Sequence, residues 1–219
     1  MFAIGHFALG YLTGKSTSKV FKTKLNLPLL LVASVLPDID LILQAVNPTI
    51  FMHRGPTHSI ITITVLMIPF FLFYKKQAAP YYVALLSHSL IGDLFTGGIE
   101  MLWPLSQNWF SYLNISVESL PNIIAELLLF AVTTPIMYKT GDLKKILHPK
   151  KYKLALIVAF GAILGPTIEM RYGSEGVLPA LLLAPSIFWL IMFAYSMLLS
   201  LRTKNEKATQ AKANPLHAG

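Results

Sequence analysis

Six long, almost uncharged runs dominate the chain: residues 27–46, 59–74, 80–95, 121–138, 154–170 and 177–201. A helix rises 1.5 Å per residue, so about 20 apolar residues cross a hydrocarbon core of about 30 Å. The second, third and fifth runs are a little short, so those crossings must be nearly upright or must borrow flanking residues. Composition supports a membrane setting. Charged residues make up 13% of the chain and mean hydropathy is +0.60, whereas a soluble domain carries about 25% charged residues to cover its surface. Residues 1–14 are apolar too, but span only about 21 Å as a helix. They lack a basic leader, hold His6 at their middle and are followed by lysines. That pattern suits a re-entrant or partly inserted helix better than a signal peptide. The expected fold is therefore all-α: a polytopic transmembrane bundle of six spans plus a short N-terminal inserted or re-entrant helix. Residues 1–201 form one domain, and the polar residues 202–219, without apolar period, read as a disordered cytoplasmic tail. There is no cysteine, which excludes disulfides, thiolate chemistry and Cys-based zinc sites.

The net charge of +8 would suit nucleic-acid binding if it formed one patch. It does not. Lys15, Lys19, Lys22 and Lys24 precede the first full run, and Lys75 and Lys76 follow the second. Lys139, Lys144, Lys145, Lys150, Lys151 and Lys153 follow the fourth, and Arg202, Lys204, Lys207 and Lys212 follow the sixth. Of the 18 basic residues, only Arg54 and Arg171 fall in the other gaps. This alternation is the positive-inside pattern. It predicts a multi-pass protein of the inner or plasma membrane with a cytoplasmic C-terminus, membrane lipids as neighbours and no nucleic-acid partner.

The scarce polar residues inside the runs are the informative ones. Asp38 and Asp40 lie in the first run, and Asp93 lies near the end of the third, five residues after His88. An ionised Asp at mid-bilayer costs about 2.5–3.5 kcal/mol on insertion scales, so it faces a cavity, a partner or an ion. The alternative is a kink at Pro37 whose freed backbone bonds the aspartates. His53 and His58 flank a Gly55-Pro56 turn on the expected non-cytoplasmic side, and Thr57 or Ser59 can cap the helix after it. His88, Asp93, Asp38, Asp40 and, if residues 1–14 insert with their N-terminus outward, His6 share that level. Imidazole plus carboxylate is the ligand set of zinc, manganese or iron hydrolytic sites. Seven candidates, His6, Asp38, Asp40, His53, His58, His88 and Asp93, would serve one or two divalent ions, zinc foremost. One spacing is awkward. Five residues on an α-helix turn about 140°, so either Gly92 marks a bulge or His88 and Asp93 have different roles. His148 and His217 read as packing or solvated residues.

The strings Gly5-His6, Leu36-Pro37-Asp38-Ile39-Asp40, His53-Arg54-Gly55-Pro56-Thr57-His58-Ser59, Ser87-His88 with Asp93, and Leu102-Trp103-Pro104-Leu105-Ser106 together resemble the YdjM-like family of inner-membrane, metal-dependent hydrolases. The resemblance covers roughly residues 5–106. It implies a membrane-embedded metal site on the same seven residues. Here the third-run His and Asp stand five apart where the family pattern has four, as if Ser89 or a neighbour were inserted.

A hydrolytic reading assigns further roles. Asp40 or Glu100 is available as general base, Glu100 alternatively being an ordinary solvated loop carboxylate. Arg54, between two ligand candidates, would hold an anionic group bidentately, which favours a phosphoester or lipid head group. Alternatively it pairs with a ligand carboxylate. Trp103, Trp109, Phe110 and Tyr112 read as an interfacial aromatic belt. Glu126 and the Glu169/Arg171 pair read as snorkelling or mutually paired residues. The competing classes are an ion or proton transporter, which needs a polar path to the cytoplasmic side, and a non-catalytic membrane protein whose metal only staples helices.

Overall fold

Helix α1 (Ala3–Val20) runs through the interior, packed against the first-half helices and against the helix that begins the second half. The computed structural model describes residues 1–44, 46–148, 154–172 and 180–213. At 18 residues, α1 is about 27 Å long. It passes the point near Gly14 where the apolar pattern stops, because Lys15 finds a buried counter-charge in Asp142. Gly10 and Gly14 bring it close to its neighbours. A Cβ at Gly10 would lie 2.2 Å from that of Ser34, and one at Gly14 would lie 2.4 Å from Leu30 Cδ1. This is the small-residue spacing with which membrane helices approach each other.

The first expected span is not one helix. Helix α2 (Leu27–Ala33) starts at the Asn26 cap and stops after seven residues. A 3-10 turn (Leu36–Ile39) follows, then the single turn α3 (Asp40–Leu43). Pro37 explains the break, since it has no N–H to continue the ladder and its ring crowds the preceding turn. Asp38 and Asp40 therefore sit on irregular backbone.

Helix α4 (Ile60–Tyr74) is capped by Ser59, whose hydroxyl accepts from the N–H groups of Ile61 and Thr62 at 3.2 and 3.4 Å. The chain then reverses through a 3-10 turn (Lys75–Ala78) into α5 (Ala79–Ser87). The Thr64 and Tyr82 hydroxyls, 2.8 Å apart, tie the two arms of this hairpin. Helix α5 runs into a π-helical turn, His88–Asp93. An irregular stretch with one isolated bridge, Ile99–Phe110, leads to α6 (Leu120–Lys139), α7 (Asp142–Leu147), α8 (Leu156–Tyr172) and α9 (Leu183–Ala213).

The all-α class holds: no β-strand occurs among the described residues. Three stretches among them are long and apolar enough to cross a membrane: Ile60–Asp93, which is the folded-back α4–α5 hairpin, Leu120–Lys139 and Leu183–Arg202. Leu156–Ile168 is shorter. Leu66, Phe70 and Phe73 on α4 are 64%, 51% and 81% exposed. A continuous apolar face of that kind suits hydrocarbon and not water. Helix α9 continues to Ala213, across much of the expected disordered tail, because residues 202–213 are mostly good helix formers. Lys150, Lys151, Lys153, His217 and the side chains of Glu169, Arg171, Lys204, Lys207 and Lys212 lie outside the described residues.

The main core joins α1, α2 and the second-half helices through Phe7, Leu31, Met137, Ile146, Trp189 and Phe193. A second cluster, including Leu30, Ile63, Met67 and Leu85, binds α2 to the hairpin. At the lysine-rich end, fully buried Asp142 accepts from Lys145 at 2.8 Å, Tyr11 at 2.8 Å, Thr140 at 2.9 Å and also Lys15. Burial raises its pKa, but the bonds from Lys145 and Lys15 prevail and hold it at about 2.

Candidate metal centre

The π-turn resolves the awkward spacing. In a π-turn the hydrogen bonds close over five residues, not four, and the Leu94 N–H bonds the Ser89 carbonyl in that register. His88 and Asp93 thus share a face, with His88 Nε2 3.2 Å from Asp93 Oδ2. Gly92 lies in the turn for a steric reason as well. A Cβ there would sit 2.5 Å from Cε1 of His6. The extra residue and the glycine act together: one re-aims Asp93, the other admits His6.

Four side chains from three segments converge at this level. Asp38, His58, His88 and Asp93 each offer a ligand atom within 4.8 Å of all the others. His58 Nε2 is 3.1 Å from His88 Nε2, 3.1 Å from Asp93 Oδ2 and 3.5 Å from Asp38 Oδ1. His88 Nε2 is 3.4 Å from Asp38 Oδ1. Ligands about 2.0–2.1 Å from a tetrahedral ion are about 3.3–3.4 Å apart, so these separations have the size of a tetrahedron's edges.

The hydrogen bonds assign which ring nitrogens face this point. His88 Nδ1 lies 2.8 Å from the Ser34 carbonyl, which can only accept, so Nδ1 carries the proton. His58 Nδ1 lies 3.2 Å from Asp40 Oδ2 and 3.0 Å from Thr57 Oγ1, and the carboxylate again places the proton on Nδ1. The two Nε2 atoms are turned towards each other and towards carboxylates; in neutral rings they would offer lone pairs there. Asp93 Oδ2 has no hydrogen-bond donor. Four potential donor atoms facing one point, with the outer atoms of His58, His88 and Asp93 held by partners, form the arrangement that ligating histidines and carboxylates adopt around a cation. The donor set fits a divalent metal.

Asp40 does not join the quartet. It accepts from His53 Nδ1 at 3.0 Å, the Arg54 N–H at 3.0 Å and Thr57 Oγ1 at 2.8 Å, as well as from His58. It gathers the His53–His58 turn onto the broken first run and orients His58. Asp40, His53 and His58 form a second group with metal-ligand spacing, although the proton on His58 Nδ1 already fills that edge. His53 is 33% exposed and stands edge-on to His58.

His6 is buried and stacks on His88 with ring centroids 3.6 Å apart. Its Nε2 is 3.6 Å from Asp93 Oδ1, and neither ring nitrogen has a hydrogen-bond partner. Arg54 points inward. Its Nη2 is 3.2 Å from Asp93 Oδ1 and its Nη1 donates to the Thr96 carbonyl. Of the two roles open to it, the structure shows the pairing with a ligand-set carboxylate. The Met1 amino group also reaches Asp93 Oδ1, at 3.1 Å. Glu100 is buried rather than solvated, 7% exposed, and its N–H donates to the Arg54 carbonyl at 2.9 Å. Its carboxylate lies beside Gly55.

The five motif strings meet in space. Ser59 donates to the carbonyls of Met101 and Trp103 at 3.2 and 2.6 Å, joining the histidine turn to the 102–106 string. A family profile for the YdjM inner membrane proteins matches residues 1–195. The chain belongs to the YdjM family. The match extends well beyond residues 5–106, into α9, so the second half shares in the family's architecture although it carries no motif of its own. No curated protein and no solved structure matches the chain. Family and apolar helices together make this a membrane protein with a His/Asp cluster suited to a metal ion.

Several YdjM-chain residues that shape the site carry no ligand signal in the sequence. Glu126, expected to snorkel or pair at an interface, is fully buried. It accepts from the N–H groups of Phe2 and Gly5 at 2.6 and 3.2 Å, so it caps α1, satisfies donors that a helix start leaves open and sets the depth of His6. Ser34 and Thr96 act through backbone carbonyls, which no residue-type pattern reveals. Thr57 was legible as a cap but serves Asp40 instead.

Proposed function

We propose that this YdjM family member is a metal-dependent hydrolase of the membrane, acting on a phosphoester or lipid head group. Asp38, His58, His88 and Asp93 would hold one divalent ion, with zinc first on donor set and edge lengths and manganese or iron as alternatives. The carrying observation is the pair of Nε2 atoms 3.1 Å apart between two carboxylates. Such an ion, when bound, supplies Lewis acidity and lowers the pKa of water towards neutrality. The chain's own residues do the rest. Asp40 holds both turn histidines with Nδ1 protonated, which leaves His53 Nε2 free to take and return a proton at the exposed edge of the site. Arg54 pairs with Asp93 Oδ1 and orients that carboxylate. Glu100 beside Gly55 is a second carboxylate within the same turn.

The lysine pattern favours six crossings with α1 as an additional inserted helix, the C-terminus cytoplasmic and the site towards the non-cytoplasmic face. Asp38 is 18% exposed while the other three members are at most 2% exposed. An accessible edge of this kind favours turnover over a closed structural metal.

Metal analysis of the purified protein beside Asp38→Ala and His88→Ala tests the site, followed by a screen of phosphoester and lipid substrates. Near-stoichiometric metal in the parent and its loss in both variants support the centre; equal metal in all three overturns it. Metal loss with no hydrolysis of any substrate overturns the enzyme reading and leaves the stapling or transport classes.

A further inference from the structure

A cleft of about 970 Å³ opens between α2 and α4, on the face whose apolar side chains are exposed. That is the upper end of the usual ligand-pocket range of about 300–1,000 Å³. Its walls are apolar along most of their length, Val32, Ile63, Leu66, Met67 and Phe70 among them. At one end the wall is Pro37, Ile39 and Thr57. Pro37 and Ile39 flank Asp38, and Thr57 donates to Asp40 at 2.8 Å and precedes His58. At the other end lie Asn26, Tyr74 and Gln77, next to Lys75 and Lys76 in sequence. Thr62 to Tyr74 along α4 is about 18 Å, more than half of a hydrocarbon core of about 30 Å.

The cleft ends beside the centre: neighbours in sequence of Asp38 and His58 line it, while the quartet itself does not. The accessible member of the ligand quartet is Asp38, and its two chain neighbours form the cleft wall. A molecule that reaches the quartet from this side carries a polar group at the Asp38 end and an unbranched apolar body running along α4. We propose that the α2–α4 cleft seats one hydrocarbon chain of a membrane phospholipid, with its phosphoryl head group at the Asp38/His58/His88/Asp93 cluster. The head-group half rests on the metal-hydrolase reading; the seating of the chain does not. The arrangement would let a substrate enter sideways from the bilayer without leaving it, and specificity for chain length would be set at the Tyr74–Gln77 end.

Full-length metal-loaded protein in phosphatidylcholine nanodiscs, with trace phosphatidylglycerol bearing a diazirine at mid-chain, gives the test by photolabelling and peptide mapping. The expected result is label on Ile63 and Met67 about tenfold above that on Ile187 and Ile191, the exposed α9 positions that report bulk lipid, a ratio worth about 1.4 kcal/mol of preference. Diacylglycerol with the same chain should label both helices alike. Met67→Trp, which fills the cleft, should remove the excess and leave the α9 label unchanged. Equal labelling of α4 and α9 by the phospholipid in the parent protein overturns the chain seat, and this reading needs no variant to fold. Equal excess from diacylglycerol overturns the head-group anchor. Excess label without hydrolysis would sink the enzyme reading alone; hydrolysis of soluble phosphoesters without excess label would sink the cleft alone.

Discussion

Two carboxylate clusters lie towards opposite ends of α1, and their partners differ. Asp142 is surrounded by two ammonium groups and two hydroxyls, every one of them a donor. Asp93 takes Arg54 and the Met1 amino group on Oδ1, but its Oδ2 and the Asp38 carboxylate face the Nε2 atoms of two imidazoles whose Nδ1 atoms are engaged by Ser34 and Asp40. The first cluster is complete as it stands and ties α1 to α7. The second is electron-rich and has the dimensions of a cation site. Burial of an acid therefore does not by itself mark a candidate metal site; the kind of group that faces it does.

The largest contrast should come from metal content. Asp38→Ala is expected to lose essentially all bound metal while Asp142→Asn keeps it, as read by elemental analysis of both purified variants. Retention of metal in Asp38→Ala would erase the distinction.

Gly92→Ala should come next, because the new methyl meets the His6 ring at 2.5 Å. Overpacking of this kind costs about 1–3 kcal/mol. A lowered melting temperature together with weaker metal binding is expected, and an unchanged value for both would mean that His6 has room to move. Asp142→Asn should cost a similar amount, about 1–3 kcal/mol for bonds to charged groups, in stability alone.

Acid should separate the two ends. The Asp142 pKa is about 2 against an ordinary 3.8, so its stabilisation is present in full above 3.8 and lost as pH falls through about 2. Protons compete with metal for imidazole nitrogens well before that, below about pH 6. Metal release on acidification should thus precede loss of the α1–α7 contact, followed by metal assay and by thermal melts across pH. Thr140→Val, which removes one of the four donors to Asp142, should cost least, about 1 kcal/mol, with metal content unchanged.

Much of the ligand set was legible in advance because its chemistry is written in residue types. Aspartate and histidine inside apolar runs are costly enough to need a reason, and Asp38, His58, His88 and Asp93 do meet. The roles within the set were less legible. Asp40 and His53 share the ligands' residue types, yet Asp40 is filled by four donors. Arg54 is the same case: residue type alone left it between a substrate anion and a carboxylate, and the fold sets it 3.2 Å from Asp93.

The sequence by itself determined that the chain is helical and apolar, that it belongs in a membrane, and which scarce polar residues carry chemistry. These follow from local composition and from the cost of burying charge. Tertiary structure decided which partners Asp40 takes, how far α1 extends and how His88 and Asp93 come to share a face. Each depends on partners distant in sequence: Asp142 for Lys15, the His53–His58 turn for Asp40, and His6 for Gly92. A spacing of five residues spells two faces on an α-helix and one face on a π-turn, and only the packed helix selects between them.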